Sequence, residues 1–134
     1  MSDAVQMVIR DALLVGSGGF LGAMSRYLVG VGAAHWLPGR MPWATLIVNV
    51  TGSFGLAVLL TVALSSSALA LPRNLQLAIG TGFFGAFTTF STFSYETVRL
   101  LDLGPGDAAL NIALNVLLCL FAAWLGAVAA EALT

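Results

Sequence analysis

The chain has 134 residues, of which 59% are apolar or aromatic and only 8% are charged, against about 25% charged residues in soluble domains. Five arginines, six acidic residues and no lysine are too few to cover a soluble globule or to build a basic surface for nucleic acid. One cysteine and one histidine exclude an intrachain disulfide and an ordinary zinc site. The composition predicts an integral membrane protein of one domain, residues 1–134, surrounded by membrane lipid.

Long gaps between charged residues predict where the chain crosses the bilayer. A hydrocarbon core about 30 Å thick needs about 20 mostly apolar helical residues. We predict four transmembrane helices, at about residues 10–31, 42–64, 75–98 and 108–130. Connectors rich in Gly, Pro or Ser separate them, at 38–40, 65–72 and 104–106. The alternating ten-residue segments of a transmembrane β-barrel are not visible in the sequence, so the predicted fold class is all-α.

The first span carries the one basic residue that lies inside a predicted crossing. Arg26 follows Gly18-Gly19-Phe20-Leu21-Gly22, a GxxxG pattern that permits close helix approach. A central Arg costs roughly 2.5–3.5 kcal/mol on insertion scales. It therefore either extends to the interface or lies near an anionic ligand. Gly32-Ala33-Ala34 resembles a signal-peptide cleavage site, but Asp11 in the leading region and Arg26 itself argue against cleavage.

The arginines outside the spans do not select one orientation in the membrane. Arg10 and Arg73 fall on one predicted face, and Arg40 and Arg99 fall on the other, with Arg26 added if it lies near its helix end. Short loops rich in Arg and Lys face the cytoplasm. With two arginines on one face and two or three on the other, the sequence does not indicate which face is cytoplasmic. Either another signal decides it, or the chain inserts both ways and forms an antiparallel dimer, in which the second copy acts as an inverted repeat.

The third span has an unusual composition for the middle of a membrane. Residues 80–94 contain three Gly, six hydroxyl side chains and five Phe. Gly and β-branched Thr weaken helix propensity, so a broken helix competes with a continuous one packed through Gly and Ser. Phe90 and Phe93 are three apart and share a helical face. Such rings either pack against neighbours or turn their positive edges to an anion.

Amide side chains recur inside the second and fourth spans. Asn49 lies about seven residues into the second span, and Asn111, Asn115 and Cys119 are spaced four apart in the fourth. That spacing puts the last three on one helical face. Buried amides serve as interhelical contacts or mark a transport pathway, and the sequence supports either. No carboxylate lies centrally in a predicted span, so a proton-coupled carrier would lack its usual relay.

Taken together, three blocks of the sequence resemble the Fluc, or CrcB, family of small bacterial fluoride channels. The most specific block is Gly82-Phe83-Phe84-Gly85 followed by residues 88–94 and Glu96. The other matching positions are Gly22-Ala23, Arg26-Tyr27, Pro42-Trp43, Thr45, Asn49 and Gly52. The resemblance runs from Gly19 through the fourth span.

The resemblance implies a passive fluoride-selective channel of the bacterial plasma (inner) membrane that exports fluoride, and not an enzyme. It implies an antiparallel dual-topology homodimer with a broken third helix and two pores. Two other classes remain as alternatives. A small dual-topology drug or metabolite antiporter shares the length but needs a membrane-embedded Glu in the first span, which this chain lacks. A structural subunit would use its polar residues only to hold an assembly together.

The resemblance also assigns residues. Those implied for the fluoride pathway are Asn49, Phe90, Phe93, Ser91, Thr92, Arg26, Asn111, Asn115 and Cys119. Asn49 would donate to fluoride, Arg26 would attract anions at the entrance, and the residues of the fourth span would form a polar track. The backbone carbonyls of Gly85 and Thr88 would hold a structural sodium ion shared by two subunits.

The sequence departs from the family pattern in two places. Gly85-Ala86-Phe87 stands where relatives often have Gly-Gly-Leu, next to the implied sodium site. Cys119 stands where a hydroxyl is usual, and a thiol is a weaker donor. The first departure adjoins the implied sodium ligands, and the second is itself an implied pathway residue.

Overall fold

The computed structural model describes residues 2–65 and 71–134, and this part of the chain contains helices and no strand. The helices are α1 (Asp3–Trp36), α2 (Trp43–Leu64), α3 (Arg73–Leu75), a π-helical segment (Gln76–Phe84), α4 (Gly85–Phe87), α5 (Phe90–Leu101) and α6 (Pro105–Glu131). The all-α fold class is therefore confirmed. Most of the predicted connector at 65–72 lies outside the described residues.

Three of these helices are long and apolar enough to cross a membrane, namely α1, α2 and α6. The limits predicted for α2 and α6 are close to those observed. Helix α1 extends beyond the predicted span of 10–31 at both ends, because it has 34 residues and is roughly 50 Å long at 1.5 Å per residue. Hydropathy marks only the apolar window, whereas helical hydrogen bonding continues beyond it.

The third predicted span, 75–98, is not one helix. Residues 73–87 are helical, and Gln76–Phe84 has π-type hydrogen bonding, which is rare beyond single turns. The backbone then becomes extended at Thr88 (φ −81°, ψ 159°) and Thr89 (φ −152°, ψ 115°). Helix α5 begins directly afterwards at Phe90. The interruption falls in the Thr-rich part of residues 80–94, where a broken helix is one of the two predicted outcomes.

Helix α1 lies backbone to backbone against the π-helical segment. A Cβ atom at Gly18 or Gly22 would overlap the backbone of Ala78 or Phe83, respectively. From the other side, a Cβ atom at Gly82 would lie 2.6 Å from the Val15 carbonyl oxygen. The close approach predicted from the GxxxG pattern is therefore present. No side chain larger than hydrogen fits at these three positions.

Helix α2 runs along α6, and the interrupted region lies against both. Gly52 of α2 has no side chain, and a Cβ atom there would overlap the Thr88 side chain. A Cβ atom at Gly126 would lie 2.5 Å from the Phe54 carbonyl oxygen, so α6 packs directly against the backbone of α2. These contacts bring the extended residues of the third segment next to the polar side chains of α2 and α6.

The charged residues collect at two ends. At one end Arg73 pairs with Asp11 at 2.6 Å, and Arg10 donates to the Asn74 side chain at 3.3 Å. The other end holds the ion pairs Arg40–Asp107 at 3.8 Å and Arg99–Asp102 at 2.9 Å. The arginines outside the apolar region therefore divide two and two, as predicted from the loops.

Candidate functional site

The side-chain amide of Asn49 stabilises the break in the helix at Thr88 and Thr89. Its Oδ1 accepts from the Thr89 N–H at 2.9 Å, and its Nδ2 donates to the Thr89 carbonyl at 3.2 Å. Both polar groups of an extended backbone residue are thus satisfied by one side chain, which replaces the lost helical partners. The same Nδ2 donates its second hydrogen to Asn115 Oδ1 at 3.1 Å.

Thr89 also starts the next helix. Its hydroxyl accepts from the Thr92 N–H at 3.3 Å, the arrangement of an N-cap. The same hydroxyl donates to Thr92 Oγ1 at 3.0 Å and lies 3.4 Å from Ser91 Oγ. The hydroxyls of Ser91 and Thr92 therefore surround the N-terminus of α5, although both residues are exposed on the single chain.

The amides of α6 continue the network away from Asn49. Asn115 Nδ2 donates to Asn111 Oδ1 and to the Asn111 carbonyl, both at 3.1 Å. Asn111 Nδ2 donates to Thr97 Oγ1 at 2.8 Å. Asn111 is 0% exposed and Asn115 is 4% exposed, so this face of α6 is buried against α2 and α5. The common face predicted from their spacing is present.

An open cavity of about 390 Å³ lies at the break. Its polar and aromatic lining consists of Asn49, Ser53, Thr88, Thr89, Phe90, Phe93, Asn115 and Cys119. The rings of Phe90 and Phe93 are 5.5 Å apart and inclined at 54°. Phe93 is 9% exposed and packs in the core, whereas Phe90 is 78% exposed. Both rings thus line one cavity. The Phe93 ring is packed against its neighbours, whereas the Phe90 ring is exposed.

Cys119 lies beside the Ser53 hydroxyl in the same cavity. Ser53 is one helical turn after Asn49 on α2, so the polar lining extends from the break toward the C-terminal end of α2. Asn111, by contrast, is buried behind the cavity and is not part of its lining. The implied polar track is therefore divided: Asn115 and Cys119 line the cavity, and Asn111 lies in the hydrogen-bond network behind it.

Arg26 approaches the break from the side of α1. Its guanidinium donates to the Thr88 carbonyl over 3.5 Å, a long bond. The N–H groups of the two extended residues are both used away from Gly85, because the Thr88 N–H donates to the Phe84 carbonyl at 3.1 Å. The Thr89 N–H that would bond to Gly85 in a continuous helix is taken by Asn49 instead. The interruption therefore leaves carbonyl oxygens available, including those of Gly85 and Thr88.

Sequence reasoning missed three polar residues of this region. Thr89 pairs with Asn49 at the break and caps α5, and the pattern Thr89-x-x-Thr92 is the signal that could have revealed a helix start there. Ser53 could have been found from its spacing of four after Asn49. Thr97 shows no such signal, because its partner Asn111 lies on another helix, 14 residues away.

Comparison with known proteins places this chain in a family. Residues 13–127 match the family described as CrcB-like protein, Camphor Resistance (CrcB). The chain belongs to the CrcB family. A relative from Campylobacter jejuni (strain 81-176), named fluoride-specific ion channel FluC, is 48% identical over 120 residues, covering 89% of this chain and 96% of the relative.

CrcB relatives from other organisms match as well. A protein of the same name from Methanocaldococcus jannaschii is 47% identical over 128 residues, covering 94% of this chain and 98% of the relative. Fluoride-specific ion channel FluC 2 from Moorella thermoacetica is 44% identical over 122 residues, covering 90% and 97%. The resemblance stated from the motifs is confirmed. This CrcB protein is a multi-pass protein of the plasma (inner) membrane, and its family consists of channels and not of enzymes.

Proposed function

We propose that this chain forms a passive, fluoride-selective channel that exports fluoride from the cytoplasm. The observation that carries the proposal is the cavity at the helix break. Among the residues that line it, the polar groups are amide, hydroxyl and thiol, and the aromatic rings are Phe. The names of the relatives, fluoride-specific ion channels, point to the same ion. Fluoride is thus the proposed ligand and transported ion.

The uncharged lining suits a strongly hydrated anion. Fluoride holds its water tightly, so a pore must replace that water with hydrogen-bond donors and the positive edges of aromatic rings. A fixed positive charge would attract chloride as well and would hold fluoride too firmly to release it. Both N–H groups of Asn49 already have acceptors, Thr89 and Asn115. Fluoride would therefore receive an N–H from Asn49 by replacing one of those oxygens.

Export through such a pore needs no fuel. An interior-negative potential contributes about 2.3 kcal/mol per 100 mV to the outward movement of a monovalent anion. Fluoride enters cells as the neutral protonated acid and is trapped as the ion once inside. A selective leak would therefore lower the cytoplasmic concentration without a coupled proton or a hydrolysed nucleotide.

We propose that the functional unit is an antiparallel homodimer. On one chain, the hydroxyl-bearing residues Ser91 and Thr92 are exposed in the middle of a predicted crossing, and the N–H groups of Thr88 and Thr89 are used away from the Gly85 carbonyl. Lipid cannot satisfy such groups, so they need protein or a water-filled cavity. A second copy in the opposite orientation would supply it. The even division of arginines between the two ends is compatible with insertion both ways. In this arrangement residues 73–101 together cross the membrane, in addition to the crossings by α1, α2 and α6.

A structural sodium ion between the two copies is part of the proposal. Freed backbone carbonyls are the hard oxygen ligands that sodium takes at broken membrane helices. The Thr89 N–H, which would reach the Gly85 carbonyl in a continuous helix, goes to Asn49, and among the described residues the Thr88 carbonyl receives the long bond from Arg26. Two carbonyls from each copy would provide four oxygens. The ion would serve to hold the two interruptions together.

The antiporter alternative has no support from the structure. That mechanism requires a carboxylate embedded in the first span, and the acidic residues of α1 are Asp3 and Asp11, both in its first quarter. Asp11 is also engaged by Arg73 at the charged end.

Purified protein in liposomes tests the function directly. Liposomes loaded with potassium fluoride or potassium chloride are given valinomycin, and anion efflux is followed with ion-selective electrodes. We expect rapid fluoride efflux and chloride efflux no faster than from empty liposomes. Equal efflux of the two anions would contradict selectivity. Fluoride retention would contradict the channel, and proton-coupled uptake of a cation would support the antiporter.

The same assay tests the rings of the cavity. Phe90→Ile keeps an apolar side chain but removes the ring edge, so we expect fluoride efflux to fall by about ten-fold, the factor that corresponds to about 1.4 kcal/mol. Phe121→Ile is the matched control, because Phe121 is exposed on α6 outside the cavity lining. Equal rates in both variants would show that Phe90 does not contact the ion.

A further inference from the structure

We infer that Thr97 is a positioning residue for fluoride passage, acting through Asn111 and Asn115 on the amide of Asn49. The inference rests on the proposed function. Thr97 is not part of the cavity lining, and no motif in the sequence singles it out. Its hydroxyl is nevertheless the last side-chain acceptor of a hydrogen-bond chain that begins at the break.

The side-chain hydrogen bonds between Asn49 and Thr97 all have the same direction, with the donor on the side of Asn49. Asn49 Nδ2 donates to Asn115 Oδ1 at 3.1 Å, and Asn115 Nδ2 donates to Asn111 Oδ1 at 3.1 Å. Asn111 Nδ2 then donates to Thr97 Oγ1 at 2.8 Å, and Thr97 donates to the Phe93 carbonyl at 2.7 Å. Hydrogen bonds aligned in this way polarise one another, so each one strengthens its neighbours.

The common direction makes the orientation of each amide depend on the next. An amide side chain is nearly symmetric in shape, and rotation by 180° exchanges its oxygen with its NH₂ group. If one amide of the chain turned, two NH₂ groups or two oxygens would face each other. Since Asn111 is 0% exposed, water cannot relieve the mismatch. The orientations of the hydrogen-bonded side-chain amides therefore depend on one another.

Thr97 determines which of the two orientations of the Asn111 amide is stable. Its hydroxyl accepts from Asn111 and passes its own hydrogen to the Phe93 carbonyl, which can only accept. Without that hydroxyl, Asn111 Nδ2 would be a buried donor with no acceptor, which is costly. Rotation of Asn111 would relieve the cost but would oppose Asn115 and then Asn49. The NH₂ group of Asn49 would then lose its second acceptor, Asn115 Oδ1, and keep only its bond to the Thr89 carbonyl.

Two substitutions at Thr97 separate the hydroxyl from the shape of the side chain. Thr97→Val removes the hydroxyl at nearly constant volume, and Thr97→Ser keeps it. In the liposome assay we expect fluoride efflux to fall by about ten-fold in Thr97→Val, the factor expected when one buried hydrogen bond is lost. Thr97→Ser should recover most of the rate. A role in packing alone would predict the reverse, because Val preserves the volume and Ser does not.

The matched control is Thr51→Val on α2. Thr51 also donates to the carbonyl four residues earlier, that of Ile47, at 2.6 Å, but it is exposed. It lacks an amide donor comparable with Asn111, so its loss should leave efflux unchanged. Efflux at the wild-type rate in Thr97→Val, or a Ser variant as slow as the Val variant, would overturn the inference. Wild-type protein without fluoride efflux would overturn the proposed function instead.

A measurement on the unmodified protein covers the case in which Thr97→Val does not fold. The chain has four asparagines, so ¹⁵N-asparagine labelling gives a simple side-chain amide spectrum in lipid nanodiscs. We expect slow hydrogen exchange at the NH₂ groups of Asn49, Asn111 and Asn115. Asn74, exposed at the charged end, should exchange fast. Exchange at Asn111 as fast as at Asn74 would overturn the chain of hydrogen bonds and the inference with it.

Discussion

The two halves of the third segment are held in place by opposite means. Residues 76–87 lie against α1 through glycine, with backbone against backbone at Gly18, Gly22 and Gly82. Residues 88–93 lie against α2 and α6 through polar side chains, and Asn49 satisfies both backbone groups of Thr89. At these three glycines there is no room for a side chain, whereas the second half opens into a cavity of about 390 Å³.

This difference separates the supporting part of the molecule from the part that meets an ion. Close backbone packing gives rigidity without presenting any free polar group to the membrane interior. A helix break held by a side-chain amide does the opposite, because it exposes donors and carbonyls that only protein, water or an ion can satisfy. We therefore expect substitutions in the first half to affect assembly and substitutions in the second half to affect transport.

The largest expected effect is on stability, in the glycine-packed half. Gly18→Val would place a branched side chain against the backbone carbonyl of Ala78, and neither backbone can move without separating the two segments. We expect a loss of about 3 kcal/mol of folding stability or failure to fold. Gly16→Val is the control, since nothing lies within 4 Å of a Cβ atom there. Thermal unfolding in detergent measures both, and equal melting temperatures would contradict the packing.

The next effect is on transport, at the amide that holds the break. In Asn49→Asp, an oxygen replaces the NH₂ group that donates to Thr89 and Asn115, and a negative charge enters the cavity. We expect fluoride efflux to fall by about a hundred-fold, which corresponds to about 2.8 kcal/mol, because the fixed negative charge repels the anion. Asn74→Asp, at an exposed asparagine, is the control. Normal fluoride efflux in Asn49→Asp would remove Asn49 from the pathway.

The smallest effect is expected at the helix cap. Thr89→Ala removes the acceptor for the Thr92 N–H but keeps the backbone pairing with Asn49. We expect a loss of about 1 kcal/mol in stability and a change in efflux of a few-fold at most. Thr89→Ser, which retains the hydroxyl, should melt like wild type. A Thr89→Ala variant that loses efflux as completely as Asn49→Asp would show that the hydroxyl itself contacts the ion.

Much of the fold could be predicted because its signals are local. The apolar stretches of α2 and α6 follow from hydropathy, which sums residue by residue. The shared face of Asn111 and Asn115 follows from helical periodicity. The exact position of the break does not, because its stabilising partner Asn49 is 40 residues away from Thr89. The role of each pathway residue beyond its placement stays a prediction that the efflux assays test.

The sequence by itself determined that this is a helical membrane protein of the CrcB family, since apolar length and local motifs are properties of contiguous residues. Only the tertiary structure decided which polar groups already have partners. Asn49 meets Asn115 across 66 residues of chain, and Asn111 meets Thr97 from a neighbouring helix. A hydrogen bond requires both partners within about 3 Å, and packing of the helices alone brings them to that distance.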